Sequence, residues 1–158
     1  MKNNCSKHFR YFLNGAVESI ICKKDEKFHG PTSLYYENYQ MKAKLNYYNG
    51  KFHGTQTEFF ENGNVKKVQF YLFGKPINKH VSYHENKQEH VVTFYKDGKK
   101  HGPSNTYFEN GSIQKQCYYI HGKECGTFRE YYPNGSLQLI RYYHYGIKKR
   151  GQMVRKGS

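Results

Sequence analysis

The chain has 158 residues and a formal net charge of +14. Leu, Ile, Val and Phe together make up only about a fifth of it, a proportion close to that of disordered chains. Its 17 Tyr and 11 Phe stand in register and so argue against disorder, and no apolar run reaches the roughly 18 residues of a membrane helix.

In chain order the same unit returns at a fixed interval. A turn asparagine recurs at Asn14, Asn38, Asn62, Asn86, Asn110 and Asn134, every 24 residues, the mark of a repeat architecture. The expected organisation is an N-terminal extension (1–6), six repeats (7–30, 31–54, 55–78, 79–102, 103–126, 127–150) and a basic C-terminal tail (151–158). Unit one has Tyr11-Phe12 before Asn14-Gly15, and its second turn, Asp25-Glu26, lacks a glycine, as suits a terminal cap. In unit two Met41, Ala43, Leu45 and Tyr47 alternate with Lys42, Lys44, Asn46 and Tyr48, the period of a strand with one buried face. Unit three is regular through Phe59-Phe60 and Asn62-Gly63 but closes on Pro76-Ile77-Asn78 where others have Phe-His-Gly. Unit four departs most, with His84 in the second aromatic position and Lys87 in the turn glycine position. A bulge, a bend or a contact site is expected there. Units five and six return to pattern with Tyr107-Phe108-Glu109-Asn110-Gly111 and Tyr131-Tyr132 before Asn134-Gly135.

Asn-Gly between aromatic and β-branched runs predicts a two-residue hairpin with positive φ at both central positions. A second glycine turn, at Gly50, Gly74, Gly98, Gly122 and Gly146, passes the chain to the next unit. The fold class is therefore all-β, an elongated, twisted antiparallel β-sheet of about twelve short strands in tandem hairpin repeats.

Two half-motifs, Phe59-Phe60-Glu61-Asn62-Gly63 and Tyr47-Tyr48-Asn49-Gly50-Lys51-Phe52-His53-Gly54, carry a family likeness. With their equivalents at 107–111 and 95–102, the chain resembles the MORN repeat, in its variant branch. The resemblance implies stacked hairpins, no catalytic residues and a scaffold that holds membranes or partner proteins. Some proteins of the branch carry an antitoxin label, which implies neutralisation of a bound partner. Tyr39, Lys87 and Pro76-Ile77-Asn78 depart from the pattern.

The lysine after the second turn recurs at Lys27, Lys51, Lys75, Lys99 and Lys123, giving a candidate anion-binding row with members roughly 10 Å apart. That spacing exceeds a Debye length of about 8 Å, so the row forms with little self-repulsion. It suits anionic headgroups, and equally a solvated turn. The aromatic register Tyr35, Phe59, Tyr83, Tyr107 and Tyr131, preceded by Tyr11, is the candidate partner-binding face, with cross-strand packing as the plainer reading. His29, His53 and His101 share one loop position, too far apart for one metal ion. No cofactor is expected, and catalysis is disfavoured: Cys117 or Glu124 with His121 forms a dyad on paper only.

Cys5, Cys22, Cys117 and Cys125 occupy four different repeat positions, so reduced thiols are expected rather than a disulfide framework. Met1 to Val17 has no apolar leader run, so the expected location is cytoplasmic, with peripheral membrane attachment open. The expected partner is an unidentified protein or an anionic membrane surface. Nucleic acid is disfavoured for want of a known module, and homo-oligomers through open sheet edges are a further expectation.

Overall fold

The computed structural model describes residues 5–153 and divides at Pro76/Ile77 into two compact units. In the first, strands β1 (Ser6–Tyr11), β2 (Val17–Lys24), β3 (Lys27–Tyr35), β4 (Met41–Tyr48), β6 (Gly54–Phe59) and β7 (Val65–Leu72) pair antiparallel in chain order, and the two-residue β5 (Lys51–Phe52) pairs with β4. The second begins two residues into β8 (Lys75–Tyr83). It continues through β9 (Glu89–Lys96), β10 (Lys99–Tyr107), β11 (Ile113–Ile120), β12 (Lys123–Glu124), β13 (Gly126–Tyr131), β14 (Leu137–His144) and β15 (Ile147–Met153). Its pairing is again antiparallel between neighbours, with β12 as a short arm on β11. All elements among the described residues are strands, so the all-β antiparallel class holds.

Among the described residues the expected twelve strands become fifteen, for two physical reasons. β5 and β12 arise where the chain breaks from its ladder at His53 and at Cys125, whose N–H groups donate to Asn46 and Tyr118 carbonyls at 2.9 and 2.8 Å. β15 adds a strand paired with β14 and takes the first residues of the expected tail into the sheet. The tail from residue 154, and the extension before residue 5, lie outside the described residues.

The primed geometry expected at the asparagine turns is found at the second glycine turns instead. At Asn62-Gly63 only the glycine has positive φ, 82°, and Phe60 N–H donates to Asn64 O while Gly63 N–H donates to Phe60 O, each at 2.9 Å. That is a three-residue loop with a left-handed glycine, and the strand register shifts beside it, between Glu58 and Phe59. The asparagine keeps an ordinary φ because its side chain does the work: Oδ1 accepts the N–H two residues on. This contact recurs at Asn14, Asn38, Asn62, Asn86, Asn110 and Asn134 over 2.9–3.0 Å. The two-residue primed turns are the second class, for example Asn49 (φ 47°) with Gly50 (79°).

Departures from the repeat keep its backbone. Tyr39 (φ 65°) and Lys87 (71°) take the left-handed position that glycine fills elsewhere, Asn78 (61°) takes that of the loop glycine, and Asp25-Glu26 form a primed turn without glycine. The turn at Lys87 retains the regular pattern, with Lys87 N–H donating to His84 O and His84 N–H to Gln88 O. The chain thus tolerates strain of about 1 kcal/mol per such residue rather than changing turn type.

The interior is thin. Among the described residues no large side chain is fully buried, and the buried apolar groups are small or medium: Ala16, Cys22 and Ala43 in the first unit, Val81, Val92 and Leu139 in the second. Aromatic neighbours supply what a thick core would. Phe28, Tyr47, Phe52 and Tyr71 run across four strands with ring centroids 4.9, 4.8 and 5.3 Å apart, contacts worth about 0.5–1.5 kcal/mol each. Cys5 and Cys22 are joined as a disulfide, Cα atoms 5.5 Å apart, against the expectation of reduced thiols. Antiparallel pairing of β1 with β2 brings together two cysteines that the repeat position separates.

Candidate interaction surfaces

Each unit presents two turn edges with different chemistry. On the edge of the primed turns, the glycine N–H donates to a loop carbonyl of the preceding repeat: Gly50 to Phe28, Gly74 to Phe52, Gly122 to Lys100 and Gly146 to Glu124, at 2.7–2.8 Å. The row lysine lies on the next glycine. A Cβ at Gly74 would stand 3.5 Å from Lys51, one at Gly122 3.7 Å from Lys99, and one at Gly146 3.6 Å from Lys123. The lysine stems therefore pack on the neighbouring turn while the residues stay exposed, and the ammonium groups extend from that packed base. Lys27, Lys51 and Lys75 lie in the first unit, Lys99 and Lys123 in the second.

Large apolar side chains share this edge. In the first unit Tyr48, Leu72 and Phe73 are 45, 47 and 52 % exposed beside Lys51 and Lys75. In the second, Tyr145 is exposed in the turn position of Phe73 and Ile147 in the position of the row lysine, next to Lys148 and Lys149. The loop histidines tie these turns together. His29 Nδ1 meets Asn49 Oδ1 at 3.1 Å, and the backbone N–H groups of Phe73 and His121 donate to His53 and His101 Nδ1 at 3.4 and 3.5 Å. Each histidine thus serves the turn 20 residues on.

The proposed aromatic face is less open than the sequence implies. Tyr35, Phe59, Tyr83, Tyr107 and Tyr131 are half-buried, and each stands at the register shift beside an asparagine turn. Tyr131 donates its hydroxyl to Gln116 Oε1 at 3.1 Å and Tyr107 accepts from Asn105 Nδ2 at 3.2 Å. Tyr11 at the chain's start is 59 % exposed.

The second aromatic position carries an inter-repeat bond that sequence reasoning missed. Tyr36 donates its hydroxyl to Phe59 O at 2.9 Å, and His84 meets Tyr107 O at the same distance through Nε2, which must carry the proton because a carbonyl only accepts. His84 is thus a working substitute for tyrosine, and the aromatic-to-histidine change was itself the available signal. Its ring lies 4.3 Å from that of His90, whose pKa is lowered by burial and then by His84. Burial and then the negative charges of Glu61 and Glu58 raise the pKa of Tyr36.

A buried polar register was also not foreseen. Gln56, in β6, accepts from Asn46 N–H at 2.8 Å and donates to Asn46 O at 3.0 Å, so its amide gives that N–H a partner beside the break in the ladder at His53. In the second unit Thr93 and Ser104 hydroxyls meet at 2.8 Å across the corresponding gap. Thr32, Gln56, His80 and Ser104, all buried, share one position every 24 residues, and that was the signal.

Cys117, one member of the paper dyad, donates its thiol to Ser104 O at 3.4 Å, and burial pushes its pKa up. Neighbouring Tyr119 donates to Glu124 Oε1 at 3.2 Å beneath the Lys100 ammonium, and burial together with the Cys117 and Glu124 charges raises its pKa strongly. The arrangement holds a thiol protonated, the opposite of what a nucleophile needs. Among the described residues no helix is long and apolar enough to cross a membrane.

Three segments, residues 52–75, 100–121 and 124–145, match the MORN repeat variant family. No curated protein matches the chain.

Proposed function

We propose that the protein is a non-enzymatic repeat scaffold that attaches peripherally to anionic membrane surfaces through its primed-turn edge. The observation that carries this reading is the coincidence of lysines seated on successive turns with exposed Tyr48, Leu72 and Phe73. Ammonium groups attract anionic headgroups, at about 1 kcal/mol each near such a surface, while the aromatic and aliphatic tips enter the interface. The net charge of +14 supports attraction over the whole molecule.

Flotation with vesicles tests it directly. The protein floats with phosphatidylserine-containing vesicles and not with neutral phosphatidylcholine vesicles, and added salt weakens the binding. Equal behaviour with both lipids would contradict the reading. A second reading, attachment of a protein partner with antitoxin-like neutralisation as one form of it, is favoured by clefts on the opposite edge.

A further inference from the structure

On the asparagine-turn edge of the first unit, a cleft of about 360 Å³ is walled by Phe12, Tyr35 and Tyr36, with Glu37, Glu61 and Lys42 at its sides. A second cleft of about 220 Å³ shares Tyr36 and Lys42 and adds Leu34, Ala43, Leu45 and Phe59. The clefts therefore follow one another along the repeat. Lys42 places its ammonium 5.4 Å from the Tyr36 ring centre, while Glu37 and Glu61 make no ion pair among the described residues. Glu58 in the second cleft is matched by Lys67 at 3.4 Å. Lys66 also lines the second cleft, so in a strongly basic protein the first cleft is the local acidic, aromatic site.

We propose that these clefts bind a proline-rich segment of a partner protein in the polyproline II conformation, carrying a basic residue at every third position. A ligand that follows the clefts crosses the strands, so it cannot add to the sheet as a strand. It must present the same side chain to each repeat, at two strand spacings, or roughly 10 Å. A polyproline II helix rises about 3.1 Å per residue with three residues per turn, so its every third side chain returns to one face after about 9.3 Å. An extended β peptide turns successive third residues to opposite faces and fails this match. Aromatic clefts suit proline rings, and Glu37 and Glu61 select a cationic third residue.

The second unit offers a natural comparison. Its register-equivalent cleft, about 350 Å³, keeps Phe108, Tyr131 and Tyr132, but Pro133 replaces the glutamate and Glu130 is paired with Lys115 at 3.3 Å. It has the shape without the free acid. Basic specificity therefore belongs to the first unit.

The test uses the full chain and a fluorescein-labelled peptide of four Pro-Pro-Arg triplets, read by anisotropy. Saturable binding is expected, about tenfold or more tighter than that of four flexible Gly-Ser-Arg triplets, which carry the same charge. Glu37→Gln with Glu61→Gln should weaken it at least threefold at unchanged melting temperature, and Pro133→Glu should tighten it. Absence of saturation, equal binding of the flexible peptide, or either variant leaving the affinity unchanged would overturn the proposal. Vesicle binding resides on the other edge and does not enter this readout.

Discussion

The side-chain amide of Asn86 donates to the backbone carbonyl of Glu109 at 2.7 Å while its oxygen accepts the N–H of Gln88 at 3.0 Å, so one residue closes its own turn and ties it to the next. Asn38 spans to Glu61 O in the same way at 3.4 Å and Asn110 to Pro133 O at 3.5 Å. Asn86→Ala removes both bonds and should destabilise the fold by about 2 kcal/mol. Asn38→Ala should cost less, because it removes the same two bonds and its inter-repeat bond is the longer one, 3.4 Å. Thermal melting of the two variants checks the order.

Lys87 occupies a left-handed position at φ 71° where other repeats place glycine. Lys87→Gly relieves that strain and should raise stability by up to about 1 kcal/mol, the gain being reduced by the freer unfolded chain. Gly63→Ala, at φ 82°, should lower it by a similar amount. Urea unfolding of both variants tests the sign of each.

Replacing Lys51, Lys75, Lys99 and Lys123 by glutamine removes the charges and, at 51, 99 and 123, keeps part of the stem that lies on the next turn. Flotation with phosphatidylserine vesicles should be abolished, with a melting temperature within a few degrees of the parent. Retained salt-sensitive flotation would exclude the row as the attachment site.

His90 titrates below its ordinary value in the folded protein, through burial and then the neighbouring His84. Its protonation therefore favours unfolding, and stability should fall as pH drops through the unfolded histidine value of about 6.5. Glutamine occupies the equivalent positions 114 and 138, so His90→Gln should keep the packing and flatten the decline between about pH 7 and 5.5. Melting temperatures across that range provide the check.

Period, strand class and turn positions were legible because turn chemistry is local: Asn, Gly and aromatic pairs announce themselves at fixed spacing. The position of the primed turns was not, because Asn62 and Asn49 each precede glycine, and only the side-chain bond from Asn62 to Asn64 N–H distinguishes them. Lys87 and Asn78 suggested irregular backbone, but the neighbouring ladders hold them in the glycine conformation. The lysine row was legible as a row, whereas its seat on the next turn depends on contacts 23 residues apart. Tyr35 and its equivalents are half-buried, in keeping with the cross-strand packing that was their plainer reading, while the exposed rings at Tyr48 and Phe73 follow from strand position rather than residue type.

The chain contains no tryptophan, so a single introduced one reports on its own surroundings. Phe73→Trp places it on the lysine edge and Tyr39→Trp, at a site 74 % exposed, on the asparagine-turn edge of the same unit. With phosphatidylserine vesicles the account predicts a blue shift and protection from aqueous quencher for the tryptophan at 73, and neither for the one at 39. A shift at 39 without one at 73, or no shift at either while the protein floats, would contradict attachment through the primed-turn edge.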